Sequence, residues 1–169
     1  MKSIFVFIFV VVSFLSYSAE LKLPSVVGSH MVLQQKTKVA VWGWAKPGAN
    51  VSVKTSWDKK VNKTAVNSDG KWKLSIVTPV AGGPYEITIK ADTTIRLEDI
   101  LIGEVWICSG QSNMQMPING IPSQPVNGSN DVIAHAHNNN IRLFTVKRDL
   151  KIKPQDNCAG IWKVASPRS

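Results

Sequence analysis

Hydrophobic and polar residues alternate along several short stretches between residues 21 and 101. Residues 38–45 and 50–57 are two of them, and the intervening Lys46-Pro47-Gly48 has the composition of a turn. The alternation further along predicts an inward-facing set that consists of Trp72, Leu74, Ile76, Tyr85, Ile87 and Ile89. Short strands with one apolar and one polar face predict an antiparallel β-sandwich, of jelly-roll or immunoglobulin-like type, over residues 20–102.

Three tryptophans lie within these predicted strands. Trp42 and Trp44 are two positions apart in the first stretch, and Trp72 follows a turn at Asp69-Gly70. Large aromatic side chains contribute much of the apolar area of a core. We therefore interpret Trp42, Trp44 and Trp72 as core residues rather than as platforms for a ligand.

The pattern changes after residue 102. Residues 104–110, EVWICSG, are apolar on consecutive positions, which is typical of a strand covered on both faces in a parallel α/β sheet. Residues 115–140 are rich in Pro, Asn, Gly and Ser and predict a loop, followed by a short helix near 131–138 and a strand at 141–146. Residues 103–169 are too few to close an α/β domain, which usually needs about 100 residues or more. We expect them to be its truncated start.

The first 19 residues have the features of a secretory signal peptide. Lys2 precedes an almost unbroken apolar run from Ile4 to Leu15, and Ser16 and Ser18 stand at suitable positions for cleavage. The run is too short to predict a membrane span. We expect a secreted or periplasmic protein without a stable membrane anchor after cleavage.

The two cysteines, Cys108 and Cys158, could pair in such an oxidising compartment. Cys108 lies inside the apolar stretch, where a free cysteine behaves as a small hydrophobic residue, and we therefore favour two unpaired thiols. Two cysteines are also too few for a disulfide scaffold or a structural zinc site.

The formal net charge is +9, but the lysines are scattered along the chain. Scattered lysines are typical of a solvated surface. A nucleic-acid-binding protein would gather basic residues on one element and interleave them with aromatic residues. We therefore expect no nucleic-acid partner.

Five phrases resemble the N-terminal part of the sialate O-acetylesterase family, within the SGNH hydrolase superfamily. They are MVLQQ (31–35), VAVWGWAKPG (39–48), DGKW (69–72), AGGPYEITI (81–89) and GEVWICSGQSNMQMP (103–117). The resemblance implies a β-sandwich followed by an SGNH hydrolase domain that removes acetyl groups from sialic acid or related sugars. It implies Ser112 as the nucleophile, an O-acetylated carbohydrate as the partner, and no metal or organic cofactor.

The residue types around Ser112 are compatible with a nucleophile at this position. Ser109-Gly110 would let the backbone turn tightly, and a helix that starts after Ser112 would direct free N–H groups towards it. Such donors stabilise the oxyanion that forms during ester hydrolysis. The candidates for positioning and oxyanion binding are Gly110, Gln111 and Asn113. Because Met114 stands where the G-x-S-x-G elbow has its last glycine, the phrase is not that elbow.

A serine nucleophile needs a general base, and none is evident here. The resemblance implies a histidine shortly after an aspartate far downstream of the serine, and His30, His135 and His137 do not match that motif. We expect neither a triad nor a metal site from Asp131, His135 and His137. We interpret His30 as a surface or turn residue and Asn130 as part of a loop.

Two hypotheses follow. The first is a secreted carbohydrate O-acetylesterase, present here as an N-terminal fragment that is inactive alone because the histidine and aspartate partners of Ser112 are missing. The alternative is a non-catalytic β-sandwich module that binds a glycan or packs against a partner domain.

Overall fold

The computed structural model describes residues 20–169, so the predicted signal peptide lies outside the described residues. The described part is mostly β, with two short helical segments between the seventh and eighth strands. The strands are β1 (Val32–Gln34), β2 (Lys38–Trp44), β3 (Asn50–Thr55), β4 (Val61–Ala65), β5 (Lys71–Val77), β6 (Gly82–Lys90), β7 (Thr94–Gly103), β8 (Asn138–Phe144) and β9 (Trp162–Ala165). The helical segments are a 3₁₀ turn (Ser112–Gln115) and α1 (Ser129–Ala134).

The first seven strands form two sheets around one core. Five strands pair in the order β1-β7-β6-β3-β4, and β2 pairs with β5 in a separate sheet. The core residues come from both sheets. The prediction of an antiparallel arrangement is wrong at one edge, where β1 runs parallel to β7. The larger sheet is therefore mixed, because β1 adds to the edge beside the end of β7. The jelly-roll or immunoglobulin-like type stays a prediction.

The predicted alternation in β5 and β6 is confirmed. Trp72, Ile76, Ile87 and Ile89 are buried. Leu74 and Tyr85 are half-buried and pack against the same core. The core interpretation holds for Trp72, which is 3% exposed. Trp42 is half-buried and also packs against the core cluster, whereas Trp44 is half-buried and is not among the residues packed against it. Both alternate along β2 with the buried Val41 and Ala45, which places them on the other face of the strand.

The predicted buried strand at residues 104–110 is not formed. The segment is irregular and exposed, with Trp106 84% and Ile107 92% accessible. A strand that is apolar on both faces needs neighbouring strands and covering layers. Among residues 20–169 no strand pairs with this segment. Cys108 is likewise exposed rather than buried, and it and Cys158 are both free thiols.

Residues 129–165 contain the elements predicted there and one that was missed. Helix α1 starts two residues before the predicted one, and Asn130 lies on this helix rather than in a loop, which corrects our interpretation. The predicted strand is β8, and it pairs antiparallel with β9, which the sequence did not indicate. No helix of the described residues is long and apolar enough to cross a membrane.

A buried arginine attaches β8 to the large sheet. Arg142 donates two hydrogen bonds from Nη2 to the carboxylate of Asp99, at 3.0 and 2.9 Å, and its side chain is only 3% exposed. Asp99 also bonds His30, with 2.7 Å between Oδ2 and Nδ1. Asp99 lies at an irregularity in the β6–β7 pairing and has a positive φ of 54°. We call His30, Asp99 and Arg142 the Asp99 brace.

Candidate active site around Ser112

Ser112 is the first residue of the single 3₁₀ turn and is exposed. Gln111 precedes it in extended conformation, and its carbonyl accepts a hydrogen bond of 3.0 Å from the Met114 N–H. The Met116 N–H donates in the same way to the carbonyl of Asn113, at 3.2 Å. The helix that we expected after Ser112 is therefore a single 3₁₀ turn that begins at Ser112 itself, and residues 109–110 have no regular structure. One turn aligns too few peptide dipoles to create a strong field at the serine.

Gly110 has a packing role that the sequence did not reveal. A Cβ atom on this residue would lie 2.8 Å from Cγ of Met114, which is closer than side chains tolerate. The glycine therefore lets the Met114 side chain fold back over the turn. This close approach adds a reason for glycine besides the room it would leave for a substrate.

The segment that leads to Ser112 is held at its start by two glutamines. Gln34 Nε2 and Gln35 Nε2 donate to the two carboxylate oxygens of Glu104, at 2.9 and 2.7 Å. Gln34 Oε1 accepts from the Val105 N–H at 2.9 Å, and Gln35 Oε1 accepts from the Ala81 N–H at the same distance. We call Gln34, Gln35 and Glu104 the glutamine clamp. Sequence reasoning did not select these residues, although they lie within two of the quoted phrases.

The clamp also sets the electrostatics of Glu104. The hydrogen bonds from Gln34, then from Gln35, stabilise the carboxylate and lower the pKa of Glu104 below its ordinary value. Partial desolvation opposes this shift, and the charge of Lys36 adds to it. Glu104 is therefore held ionised at neutral pH as the acceptor on which both glutamines converge.

The three histidines do not reach Ser112 in the described residues. His30 belongs to the Asp99 brace in a surface turn, as the sequence predicted. His135 approaches only its own helix, with Nδ1 2.9 Å from the carbonyl oxygen of Asp131 and 3.4 Å from its carboxylate. Among the hydrogen bonds of residues 20–169, none joins Ser112 to His135 or His137. The same residues contain no cluster of three or more His, Cys, Asp or Glu side chains that could hold a metal ion.

A large open cleft of about 860 Å³ lies beside the segment that precedes Ser112. The residues that line it include the end of β7, Trp106, Cys108, residues of β8 and Trp162. Ser112 is not among its lining residues. The structure thus places Gly110, Gln111, Ser112 and Asn113 together on an exposed turn at one end of an apolar segment.

Comparisons with known proteins identify relatives of this chain. No protein-family model matches it. It is 33% identical over 135 residues to the mouse sialate O-acetylesterase, across 74% of this chain and 24% of that protein. It is 34% identical over 136 residues to the human sialate O-acetylesterase, across 74% of this chain and 25% of that protein. The chain belongs to the sialate O-acetylesterase family. It spans about a quarter of the length of these curated relatives.

A solved structure supports the same assignment for this family member. The chain resembles the crystal structure of a carbohydrate acetylesterase from Xanthomonas citri, with a TM-score of 0.80 and 30% sequence identity. The match covers 88% of this chain and 33% of that one.

In this member of the sialate O-acetylesterase family, two of the phrases that carry the sequence resemblance are in direct contact. The MVLQQ phrase contains β1, which pairs with the end of β7 where the GEVW phrase begins. The glutamine clamp joins the two phrases through side chains. The contact gives a physical reason why the two phrases occur in the same chain, because the first phrase positions the start of the second.

Proposed function

We propose that this chain is the N-terminal part of a secreted carbohydrate O-acetylesterase of the SGNH hydrolase superfamily, with Ser112 as its nucleophile. The observation that carries the proposal is the 33–34% identity to proteins named sialate O-acetylesterase. The likeness to a carbohydrate acetylesterase of known structure supports it. The substrate would be an acetyl ester on a hydroxyl group of sialic acid or a related sugar.

In this proposal the reaction takes two steps at Ser112. The Oγ atom gives its proton to the general base and attacks the acetyl carbonyl, so that a bond from Oγ to the acetyl carbon forms. The bond from that carbon to the sugar oxygen breaks, and the sugar leaves as an alcohol after receiving the proton from the base. Water then attacks the acetyl-serine with the help of the same base, the bond from Oγ to the acetyl carbon breaks, and acetate and the serine hydroxyl are released. The backbone N–H of Ser112, together with Gly110, Gln111 and Asn113, would supply donors to the oxyanion.

The general base would come from a histidine downstream of residue 169, with an aspartate shortly before it in sequence. This part of the proposal is supported by the positions of His30, His135 and His137, none of which bonds Ser112 in the described residues. It is also supported by the exposed apolar side chains of Trp106 and Ile107. Further strands and helices of a hydrolase domain would cover them and complete the parallel sheet.

The activity of two versions of the protein tests the proposal. We expect the 169-residue chain to hydrolyse p-nitrophenyl acetate and O-acetylated sialic acid very slowly, because a positioned general base typically contributes about 10²–10⁴-fold to such a rate. A version extended along the coding sequence should be active and lose its activity with Ser112→Ala. Comparable turnover by both versions, abolished by Ser112→Ala, would instead place the base within these residues and make His135 or His137 the suspect.

The location of the protein is tested separately. We propose that residues 1–19 direct export and are removed, which would deliver the protein to the periplasm or the medium. Expression of the whole chain in a secreting host, followed by N-terminal sequencing, should give a mature end near Ala19. Recovery of the intact Met1 terminus from the cytosol would contradict this.

A further inference from the structure

A cavity on the outer side of the β2–β5 sheet has the composition of a small-molecule site. Its volume is about 490 Å³, within the range of about 300–1,000 Å³ that is usual for such sites. Residues of β2, β4 and β5 line it, together with the segment that contains Asp156. No residue of 104–116 contributes to its walls. We call it the tryptophan cavity, and the residues that line it include Trp42, Trp44, Asn67, Lys71 and Asp156.

Two half-buried indoles form its apolar part. Trp42 and Trp44 lie two residues apart on β2 and therefore share one face of the sheet. In the register of the β2–β5 pair they lie opposite Lys73 and Lys71. Trp42 is fixed in place, since its Nε1 donates to the carbonyl oxygen of Asp156 at 2.9 Å.

Polar groups of both signs stand beside these rings. Lys71 Nζ and Asp156 Oδ2 form an ion pair at 2.6 Å, which leaves the second carboxylate oxygen and further ammonium protons able to bind a ligand. Asn67 uses its Oδ1 to accept from the N–H groups of Asp69 and Lys71, so its Nδ2 group remains to donate. The cavity thus combines an aromatic floor with donors and acceptors at its edge.

We propose that the tryptophan cavity binds a pyranose ring of a glycan, with Trp42 and Trp44 stacking on the sugar. A pyranose has a face of C–H groups that suits the negative face of an indole, and its hydroxyls both donate and accept. Lys71, Asp156 and Asn67 would bind those hydroxyls. This site would hold a glycan independently of the ester chemistry proposed at Ser112.

Fluorine NMR of the whole 169-residue chain carrying 5-fluorotryptophan tests the proposal. The chain has six tryptophans, which can be assigned with single Trp→Phe variants. Cellobiose, xylobiose and N-acetylneuraminic acid are added separately, so that neutral and acidic sugars are distinguished. We expect at least one of them to shift the Trp42 and Trp44 signals saturably while the exposed Trp106 signal stays unchanged. These sugars carry no O-acetyl ester, so their binding does not depend on esterase activity. The same titration in the Ser112→Ala variant should give the same shifts, and the result therefore stands even if the proposed esterase function is wrong.

Substitutions sharpen the test. Trp44→Ala should weaken binding at least about tenfold, whereas Trp44→Phe should retain part of it and Lys63→Ala, outside the cavity, should leave it unchanged. Asn67→Ala at the cavity edge should also weaken binding. It takes the place of Trp44→Ala in the test if Trp44→Ala does not fold. The proposal is overturned if no sugar shifts the Trp42 and Trp44 signals up to its solubility limit. It is also overturned if Trp44→Ala folds and binds as tightly as the wild type.

Discussion

Gly43 shows at the scale of one residue how the sequence serves the packing of β2. It lies opposite Trp72 in the β2–β5 register. A Cβ atom here would collide with the carbonyl oxygen of Lys22 and would lie 3.0 Å from Cζ2 of Trp72. The Lys22 backbone bonds that of Trp44 in both directions, at 2.8 and 2.9 Å, and cannot move away without losing those bonds. Glycine is therefore required by the neighbours of position 43.

We expect Gly43→Ala to lower the free energy of unfolding by about 1–3 kcal/mol, the usual range for overpacking a filled core. Urea denaturation followed by tryptophan fluorescence measures this difference. Gly28→Ala is the matched control, because a Cβ there would meet only the Ser25 carbonyl oxygen at 3.6 Å. Equal free energies of unfolding for the two variants would show that β2 and the Lys22 segment can move apart without loss of stability.

At the scale of elements, side chains rather than strand pairing control the segment that leads to Ser112. Regular pairing of β7 ends at Gly103, and the glutamine clamp takes over at Glu104 and Val105. Glutamine suits this role because one amide both donates to a carboxylate and accepts from a backbone N–H. The start of the segment is thus anchored to β1, while the side chains of Trp106 and Ile107 in its apolar continuation are exposed.

We predict a pH-dependent loosening of this segment. The pKa of Glu104 is lowered in the fold, so the stabilisation is present above the ordinary glutamate pKa and is lost as the pH falls through the lowered one. Hydrogen exchange of the Val105 amide, corrected for the intrinsic pH dependence, should show protection at neutral pH that is lost in acid. Glu104→Gln cannot accept from both glutamines and should lose protection already at neutral pH.

Glu98→Gln is the control for that experiment, since the Glu98 side chain pairs with Arg96 on the surface of β7. It should leave exchange at Val105 as in the wild type. If Glu104→Gln also leaves Val105 protected, the clamp does not hold the segment.

The Asp99 brace is a second link between elements. The burial of the Arg142 side chain determines how much this link contributes to the free energy of unfolding. Asp99→Ala would leave the guanidinium of Arg142 buried with only the Asn139 carbonyl as a partner. We expect a loss of about 3 kcal/mol in the free energy of unfolding, because an uncompensated buried charge is strongly destabilising. The double variant Asp99→Ala/Arg142→Leu also removes the buried positive charge and should recover part of that loss.

The neighbouring Glu98→Ala is the matched control for Asp99→Ala. It removes an exposed ion pair with Arg96, at 3.3 Å, and should change stability by about 1 kcal/mol or less. Chemical denaturation of the wild type and the three variants measures all these values. A loss from Asp99→Ala no larger than that from Glu98→Ala would mean that Arg142 finds another partner or becomes solvated.

At the scale of the whole molecule, the two halves differ in what they leave exposed. The first seven strands enclose a core, and the exposed large apolar residues there are few, namely Val61, Val77 and Val80. In residues 104–161 they are many and include Trp106, Ile107, Leu150, Ile152 and Ile161. Exposed apolar surface on this scale is typical of a face that another part of a protein covers.

We therefore expect the 169-residue chain to bind the dye 1-anilinonaphthalene-8-sulfonate and to self-associate as its concentration rises. Leu150→Ser/Ile152→Ser should reduce both effects, whereas Val80→Ser in the first half should not. The extended version of the proposed esterase should bind less dye. Dye fluorescence and analytical ultracentrifugation provide the two measurements, and a monomeric chain that binds no dye would contradict the interpretation.

The sequence by itself determined the features that depend on local pattern. Alternation in β5 and β6 predicted which side chains face inward, because successive residues of a strand point to opposite faces whatever surrounds them. The quoted phrases indicated the family and directed attention to Ser112. A helical turn close to Ser112 was also predictable, since it depends on neighbours along the chain.

Only the tertiary structure decided the features that depend on distant partners. Residues 104–110 have the composition of a buried strand, but a strand forms only where another strand supplies hydrogen bonds, and none does in residues 20–169. The parallel pairing of β1, the glutamine clamp and the Asp99 brace each join residues that are about 40 to 70 positions apart. Trp44 and Trp72 looked equivalent in sequence, yet Trp44 is half-buried on the other face of the sheet and Trp72 lies in the core. The difference arises because burial is set by what packs against a strand, which no local pattern contains.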